Sequence, residues 1–233
     1  MELAETIADR SEALFSWLKS SLSLSSHPYP ERLSPALSES LAEYLRLLVL
    51  WTERIDLVAP ASEDEHIERH LLDSLAAGYV LQAPSPLPYS STYLDVGSGA
   101  GLPGIVIGLM EPELSVMLCV PREKRVVFMR EAISKLKLEN VAVVCARAEE
   151  LNSSHVSSLG VVLSRALGNT ELLIQTAARL GAEGCLVAEL LGPTWDGPNA
   201  YPGAELKDLI PYSLSSKGAS RQIGFWNVSR ETS

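Results

Sequence analysis

The feature that most constrains the fold is a change of pattern at residue 93, where short apolar runs begin to alternate with helical segments. The apolar runs lie at residues 93–96, 115–120, 141–146, 161–164 and 184–188. Between them, helical spacing marks two amphipathic segments, one with Val126, Met129, Ile133 and Leu136 and one with Leu172, Leu173, Thr176 and Leu180. This alternation predicts an α/β fold in which helices cover both faces of a mostly parallel sheet. A last run at 222–228 is predicted to close the sheet as an edge strand.

The residues before this segment predict helices alone. A first amphipathic helix is expected over residues 2–22, and the Ser/Pro-rich stretch SSLSLSSHPYPERLSP then breaks it. Ser34 followed by Pro35 is typical of a helix start, and an apolar stripe runs from Leu37 to Ile55. A third helix is predicted from residue 63 through ERHLLDSLAAGYVL, before the proline-rich loop QAPSPLPYSST. We therefore expect an N-terminal helical cap region, residues 1–92, and an α/β core, residues 93–233, in one compact unit.

Length and composition predict a compact cytoplasmic protein. The 233 residues are 46% apolar, which is enough to bury one substantial core. No apolar run approaches the about 18 to 20 residues needed to cross a bilayer, and the start, MELAETIADR, is acidic where a secretory signal is basic. Three cysteines, Cys119, Cys145 and Cys185, stand singly in apolar runs without C-x-x-C spacing. This pattern predicts buried reduced thiols and no metal site.

The charge of the chain argues against nucleic-acid binding through bulk electrostatics. The formal net charge is −10, whereas neutralising many phosphates requires a surface rich in Lys and Arg. Residues 122–137 are a local exception, with six basic and two acidic side chains. This segment fits either a solvated helix face or an RNA-facing patch.

Four glycines lie within eight residues of the stretch LDVGSGAGLPGI, directly after the first predicted strand. A helix N-terminus after such a strand offers free N–H groups at the ligand-binding edge of a parallel sheet. Gly99, Gly101 and Gly104 satisfy the dinucleotide pattern G-x-G-x-x-G, but this pattern begins three residues after the strand ends. Starting at Asp95, the pattern D-x-G-x-G-x-G instead resembles motif I of methyltransferases that use S-adenosyl-L-methionine (AdoMet). A turn that is glycine-rich for purely structural reasons is the third interpretation.

The order of five segments resembles the RsmG (GidB) family from about residue 40 to 190. The segments are LLVLWTERIDLVAP, IERHLLDSL, LDVGSGAGLPGI, KRVVFMREAISKLKLENVAVVCARAEEL and VVLSRAL. The resemblance implies a Rossmann-like class I methyltransferase fold with an N-terminal helical cap. It also implies AdoMet-dependent methylation of guanine N7 in 16S ribosomal RNA of the small ribosomal subunit. A monomer suffices for this chemistry, and guanine N7 carries no proton, so no dedicated base is required.

The resemblance also implies which residues bind the cofactor. The residues expected at the amino-acid and ribose end of AdoMet are Asp95, Gly97, Ser98, Gly99 and Gly101, and Leu102 and Pro103 are also expected to bind the cofactor. Ala148 and Glu149 are expected to meet the adenine. The family has an acidic residue for the ribose hydroxyls where this chain has Val120, and Glu123 is the nearest replacement.

The residues that the resemblance implies for RNA binding come from several segments. They are Arg69, His70, Asp73 and Ser74 on the cap helices, Arg147, and Arg165 of the SerArgAla motif. A planar guanidinium can pair bidentately and also stack on a base, which suits RNA. Taken singly, Arg69 and Arg165 also fit structural ion pairs, and His70 fits a packing residue.

Two departures from the family pattern keep a second hypothesis open. Val120 replaces an acidic residue, and Leu191 stands where the family has a lysine before Gly192. Both favour a non-catalytic RNA- or ribosome-binding relative that has lost cofactor affinity. A third hypothesis, an NAD(P)-dependent oxidoreductase, requires the later glycine pattern and offers no hydride-transfer partner.

Overall fold

The computed structural model describes residues 2–21, 33–81, 92–214 and 220–229. Five parallel strands are β1 (Thr92–Val96), β2 (Ser115–Cys119), β3 (Val141–Val144), β4 (Leu159–Arg165) and β5 (Gly181–Leu191). Three strands pair antiparallel, β6 (Ala200–Tyr201), β7 (Ala204–Ser213) and β8 (Ser220–Val228). Within the described residues they form one sheet with the order β3-β2-β1-β4-β5-β8-β7-β6. The predicted parallel core is confirmed.

Seven α-helices in these ranges cover the sheet. The crossover helices are α5 (Gly104–Met110) after β1, α6 (Glu123–Leu136) after β2 and α7 (Thr170–Leu180) after β4. A 3₁₀ turn, Ala148–Glu150, follows β3. The N-terminal helices are α1 (Glu2–Ser21), α2 (Pro35–Thr52), α3 (Glu63–His66) and α4 (Asp73–Leu81). A π-helical turn, Ile67–Leu72, joins α3 to α4, so residues 63–81 form one interrupted helix.

The helix starts in the cap follow from side chains at their first turns. The Ser34 hydroxyl accepts a hydrogen bond from Leu37 N–H at 3.2 Å, which confirms the predicted start of α2. Ser62 and Glu65 form a reciprocal capping box at the start of α3. Such caps satisfy N–H groups that the first turn of a helix leaves unpaired. Leu22, the Ser/Pro-rich break at 22–32 and the proline-rich loop at 82–91 lie outside the described residues.

A separate hydrophobic cluster lies on each face of the sheet. The cap helices pack on the face that carries α5 and α6. There the Phe15 ring stacks on the Tyr79 ring with 5.0 Å between the ring centroids, and Trp51 contacts Phe128 edge-on with 5.8 Å between the centroids. The other face is covered by α7, with Leu173 packed in the same cluster as the fully buried Trp226. The cap therefore packs directly against the core and covers one face of its sheet.

The prediction that residues 222–228 form an edge strand is wrong. They belong to β8, which lies between β5 and β7, and the edge is formed by β6. The sequence does not predict β7, because the strand is only sparsely buried and contains Pro211, which argues against an interior strand. The predicted strand at 141–146 is also shorter, since it ends at Val144.

The cysteine prediction is correct for two of the three residues. Cys119 and Cys185 are buried, but Cys145 is exposed, because it follows the end of β3, which lies at an edge of the sheet. Among the described residues, no group of three or more His, Cys, Asp or Glu side chains is arranged to hold a metal ion. None of the helices in the described ranges is both long enough and apolar enough to span a membrane.

Candidate active site

The glycine pattern is explained by the backbone between β1 and α5. Gly97, Gly99 and Gly101 have φ angles of 72°, 59° and 83°, in the left-handed region that other residues rarely adopt. Gly104 is required for a different reason, since a Cβ there would lie 2.3 Å from Leu118 Cδ2. The loop thus alternates left-handed glycines, and α5 packs against β2 too closely for any side chain at its first residue.

Hydrogen bonds hold this glycine loop, residues 97–103, in one shape. Gly97 N–H donates to the Cys119 carbonyl at 2.9 Å, and the Ser98 carbonyl accepts from Gly101 N–H at 2.7 Å. The buried Tyr44 hydroxyl of α2 donates to the Ala100 carbonyl at 2.7 Å. The cap therefore fastens the loop directly. Tyr44 is not among the predicted site residues, because nothing in its own segment distinguishes it from an ordinary helix residue.

Asp95 lies fully buried at the end of β1. Its Oδ2 accepts a hydrogen bond from Gly104 N–H at 2.9 Å, which fixes the first turn of α5. Its Oδ1 has no hydrogen-bond partner among the described residues. Burial raises the pKa of Asp95 to about 7, although the Gly104 N–H and the charge of Arg165 act in the opposite direction. One acceptor oxygen therefore remains available beneath the loop.

A cavity of about 490 Å³ lies beside the glycine loop, at the carboxyl ends of the parallel strands. Its walls come from the loop, from residues 57–58 and 70–73 of the cap, and from the ends of β4, β5 and β8. The predicted site residues that border it are His70, Asp73, Gly97, Ser98, Gly99, Leu102 and Arg165. Pockets of this size are typical of small-molecule and cofactor sites. The structure thus brings together predicted cofactor residues and predicted RNA residues.

The other predicted site residues do not border this cavity. They are Arg69, Ser74, Asp95, Gly101, Pro103, Glu123, Arg147, Ala148 and Glu149. Arg69 is exposed and pairs with Glu65 at 2.9 Å, whereas Ser74 is fully buried. Glu123 lines a neighbouring depression with Arg125, and Arg125 borders both spaces. The roles predicted for these nine residues remain predictions.

Arg165 is the centre of a polar network between β4 and the cap. Its Nη1 donates to the Arg69 carbonyl at 3.0 Å and lies 3.5 Å from Asp73 Oδ2 and 3.4 Å from His70 Nδ1. The side chains of Arg165 and Asp73 are 18% and 7% exposed, so the charge pair is largely withdrawn from water. The other Asp73 oxygen accepts from the Tyr212 hydroxyl. The guanidinium is thus held by several partners at the cavity wall.

His70 is neutral at physiological pH. Burial lowers its pKa to about 4, with further contributions from the positive charges of Arg165, His66 and Arg69. Because an arginine donor faces Nδ1, we assign Nδ1 as the acceptor and place the proton on Nε2. His70 therefore offers one N–H donor without a charge.

Replacing His70 by glutamine is expected to reduce the acid sensitivity of the fold. An unfolded histidine titrates near pH 6.5, so between about pH 6.5 and pH 4 the unfolded state binds more protons. The stabilisation due to neutral His70 is complete above pH 6.5 and is lost as the pH falls through that window. Urea unfolding at pH 7 and pH 4.5 measures this loss, which should be smaller in His70→Gln than in wild type. His155→Gln, at a histidine remote from the cavity, should keep the wild-type loss, and equal losses in all three proteins would contradict the assignment.

The two departures from the family pattern have different positions. Val120 is buried directly after β2 and faces the core, and no residue from the end of β2 borders the cavity in the described part of the chain. Leu191, at the end of β5, does line the cavity, together with Leu190 and Gly192. The cavity wall therefore has a leucine where a lysine was expected.

Several residues that line the cavity were not among the predicted site residues, and three of them bear on its chemistry. Arg125 and Arg221 add two guanidinium groups to the lining, and Ala166 of the SerArgAla motif has a left-handed φ of 57°. An L-residue held there carries backbone strain, which often accompanies functional sites. Arg125 belongs to the basic segment 122–137, so its charge was noted from the sequence, but its position at the cavity was not predicted. Arg221 lies beyond the segments of the family resemblance, so only the pairing of β8 with β5 reveals it.

One protein-family model matches most of the α/β core and part of the cap. The family model described as "rRNA small subunit methyltransferase G" (GidB) matches residues 37–193, more than half of the chain. The chain belongs to the GidB family. This membership confirms the resemblance drawn from the five sequence segments and goes against the dinucleotide interpretation of the glycines.

Individual relatives of the family align over much of the chain. The protein named Ribosomal RNA small subunit methyltransferase G from Methylobacillus flagellatus is 35% identical over 185 residues, which cover 77% of this chain and 85% of the relative. The protein of the same name from Dichelobacter nodosus is 40% identical over 145 residues, 62% of this chain and 65% of the relative. The GidB family thus contains relatives that align from cap to core.

Solved structures confirm the fold class. A SAM dependent methyltransferase from Aquifex aeolicus superposes with a TM-score of 0.51 at 13% identity, covering 72% of this chain and 94% of that one. The [4+2]-cyclase SpnF superposes with a TM-score of 0.53, also at 13% identity, covering 84% and 96%. At this identity the similarity concerns the fold alone, which is the predicted Rossmann-like arrangement.

Proposed function

We propose that this chain transfers the methyl group of AdoMet to N7 of a guanine in 16S ribosomal RNA, within the small ribosomal subunit. Membership of the GidB family confirms the predicted enzyme class, a ribosomal RNA methyltransferase that uses AdoMet. The observation that carries the proposal is a single cavity bounded by the glycine loop on one side and by His70 and Arg165 on the other. We further propose that the protein acts in the cytoplasm as a monomer.

The residues around the glycine loop fit AdoMet. A bound AdoMet supplies a methyl group on a positively charged sulfur. The backbone at Gly97 to Gly99 has no Cβ atoms to fill the adjoining cavity except that of Ser98, whose hydroxyl is directed toward Met129 Sδ at 3.6 Å. Asp95 lies beneath the loop, where its Oδ2 fixes the first turn of α5 and its Oδ1 has no hydrogen-bond partner among the described residues. Leu102 and Leu190 give part of the cavity an apolar wall, as ligand sites commonly have.

We assign the adenosine end of AdoMet to the edge of the sheet beyond β2. Ala148 and Glu149 follow β3, which pairs with β2, and Glu149 lies near enough to Cys119 at the end of β2 to contribute to the raised pKa of its thiol. Glu123 begins α6 after the same strand. These three residues therefore lie at the edge where the family's acidic residue is expected, and we propose that Glu123 replaces it.

We assign the RNA base to the side of the cavity formed by the cap. Guanine O6 is an acceptor, and the neutral His70 and the guanidinium of Arg165 both offer N–H donors. Guanine N7 carries no proton, so methyl transfer from AdoMet, with release of S-adenosylhomocysteine as the S–CH3 bond breaks, would need no base, and these residues would act by orienting the guanine. Such alignment of two reactants is worth up to about 7 to 11 kcal/mol. We assign Asp73 and the buried Ser74 to the support of this wall, and Arg69, Arg147 and Arg221 to contacts with phosphates.

A non-catalytic relative is the second candidate, because Val120 removes the carboxylate that the family pattern predicts. Calorimetric titration of AdoMet and of S-adenosylhomocysteine into the purified protein tests the choice. We expect a dissociation constant in the micromolar range, about −8 kcal/mol of binding free energy. No detectable binding at millimolar concentrations would instead favour the non-catalytic candidate.

A methyl-transfer assay tests the substrate. Tritiated AdoMet is incubated with small subunits that lack the modification and, in parallel, with naked 16S RNA; borohydride reduction followed by aniline cleavage locates N7-methylguanine. We expect labelling of the subunits at one guanine and little labelling of naked RNA, because a chain of net charge −10 has little long-range attraction for RNA. Equal labelling of both would contradict the subunit requirement, and label without aniline cleavage would contradict N7.

A further inference from the structure

Tyr212 occupies an unusual position for a residue of the antiparallel part of the sheet. It lies on β7, outside residues 37–193 that the family model matches, and pairs across the ladder with Arg221 of β8. Tyr212 belongs to the hydrophobic cluster on the face of the sheet that the cap covers. Its cross-strand partner Arg221 borders the cavity. A strand that sequence analysis did not predict therefore reaches the candidate active site.

The Tyr212 hydroxyl joins the polar network of Arg165. The side chain is 1% exposed, and its hydroxyl donates to Asp73 Oδ1 while Asp73 Oδ2 faces Arg165 at 3.5 Å. Burial, followed by the negative charge of Asp73, raises the pKa of Tyr212 far above its ordinary value, so the hydroxyl stays a donor at physiological pH. The two oxygens of one carboxylate thus connect β7 to β4.

We propose that Tyr212 is a positioning residue for Arg165, acting through the Asp73 carboxylate. A hydrogen bond to one oxygen of Asp73 fixes the rotation of the carboxylate, and the other oxygen then holds the guanidinium in the direction of the cavity. A free arginine side chain has many accessible rotamers, and substrate binding must otherwise overcome the loss of this rotamer entropy. Side chains locked in advance by such supporting contacts align substrates better. The effect on methyl transfer rests on the proposed function, whereas the effect on Arg165 itself does not.

Removing only the hydroxyl separates this role from packing. Tyr212→Phe keeps the buried ring, and we expect the single-turnover rate of methyl transfer at saturating AdoMet to fall about tenfold, with the AdoMet dissociation constant unchanged within about twofold. Tyr201→Phe, on β6, is the matched control and should transfer methyl groups at the wild-type rate. A wild-type rate in Tyr212→Phe would overturn the inference.

A double-mutant cycle distinguishes positioning from a purely structural contribution. If Tyr212 acts through Arg165, Tyr212→Phe should have no further effect on the rate in an Arg165→Lys background, since the two changes act on one interaction. The same reduction in both backgrounds would overturn the inference. It would mean that the hydroxyl stabilises the fold independently of Arg165.

A spectroscopic measurement keeps the inference testable if the protein has no methyltransferase activity. The ¹H–¹⁵N signal of the Arg165 guanidinium is assigned by its absence in Arg165→Lys. The N–H protons that give this signal should exchange with water faster in Tyr212→Phe than in wild type and Tyr201→Phe. Unchanged exchange would overturn the inference. Faster exchange in a protein that methylates no RNA would support the inference and overturn the proposed function alone.

Discussion

Replacing Gly99 by valine is expected to reduce AdoMet affinity by more than about a hundredfold, or about 3 kcal/mol. Gly99 has a φ of 59°, and a Cβ at this position would lie 3.3 Å from Arg125 Nη1 at the border of the cavity. A valine there is strained by at least about 1–2 kcal/mol and places two methyl groups beside the space assigned to the cofactor. Calorimetric titration measures the loss. Wild-type affinity in this variant would contradict the assignment of the loop.

Gly184→Val is the matched control for backbone strain. Gly184 also has a left-handed φ, 77°, but a Cβ there meets nothing within 4 Å, and the residue does not border the cavity. The two variants therefore carry the same kind of strain at different places. We expect Gly184→Val to be less stable than wild type but to bind AdoMet with unchanged affinity. Equal losses of affinity would mean that strain, and not occupation of the cavity, explains the Gly99 variant.

Arg165→Ala is expected to have the second large effect, on methyl transfer itself. The change removes the guanidinium and leaves Asp73, 7% exposed, without its cationic partner. Removing one partner of a buried charge pair at a binding site costs about 2–5 kcal/mol, or about thirtyfold to several thousandfold in rate. We expect this loss in single-turnover transfer at saturating AdoMet, with the AdoMet dissociation constant within about threefold of wild type.

Two other arginines provide the comparison for this result. Arg46 of α2 pairs with Glu43 at 3.4 Å on the surface, and Arg46→Ala should transfer methyl groups at the wild-type rate. Arg69→Ala retains the Arg69 carbonyl that accepts from Arg165, because only its exposed side chain is lost. Its effect on transfer should therefore be smaller than that of Arg165→Ala. A larger loss of AdoMet binding than of transfer in Arg165→Ala would place Arg165 on the cofactor side.

The glycine loop was predictable because the information is local. Asp95, Gly97, Gly99 and Gly101 lie within seven residues, and each left-handed angle favours a glycine at its own position. The parallel order of β1 to β5 was predictable for a similar reason, since each crossover is short and its apolar spacing is regular. Motif and fold class are therefore the parts that the residues specify most directly.

The support of the site was not predictable, because it depends on contacts between distant segments. Tyr44 meets Ala100 across 56 residues, and Tyr212 meets Asp73 across 139. Neither tyrosine belongs to a motif, and Pro211 argues against predicting the strand that carries Tyr212. Only the folded chain brings these groups together.

The helix that carries Arg69 to Ser74 was predicted, but not which of its side chains face the cavity. A π-helical turn over Ile67–Leu72 interrupts the ordinary repeat of 3.6 residues per turn. His70 and Asp73 border the cavity, Arg69 is exposed and Ser74 is buried. Helical periodicity alone does not anticipate this distribution, because the wider turn changes the angle between successive side chains.

The position of β8 between β5 and β7 constrains the order in which the sheet assembles during synthesis. β7 precedes β8 along the chain, yet it joins the sheet only through β8, so it emerges from the ribosome before its place in the sheet exists. Tyr212 can therefore reach Asp73 only after β8 has been translated and has paired with β5. The glycine loop, in contrast, is complete more than a hundred residues earlier. A nascent chain thus contains its whole glycine loop early, and the network around Arg165 is among the last parts to assemble.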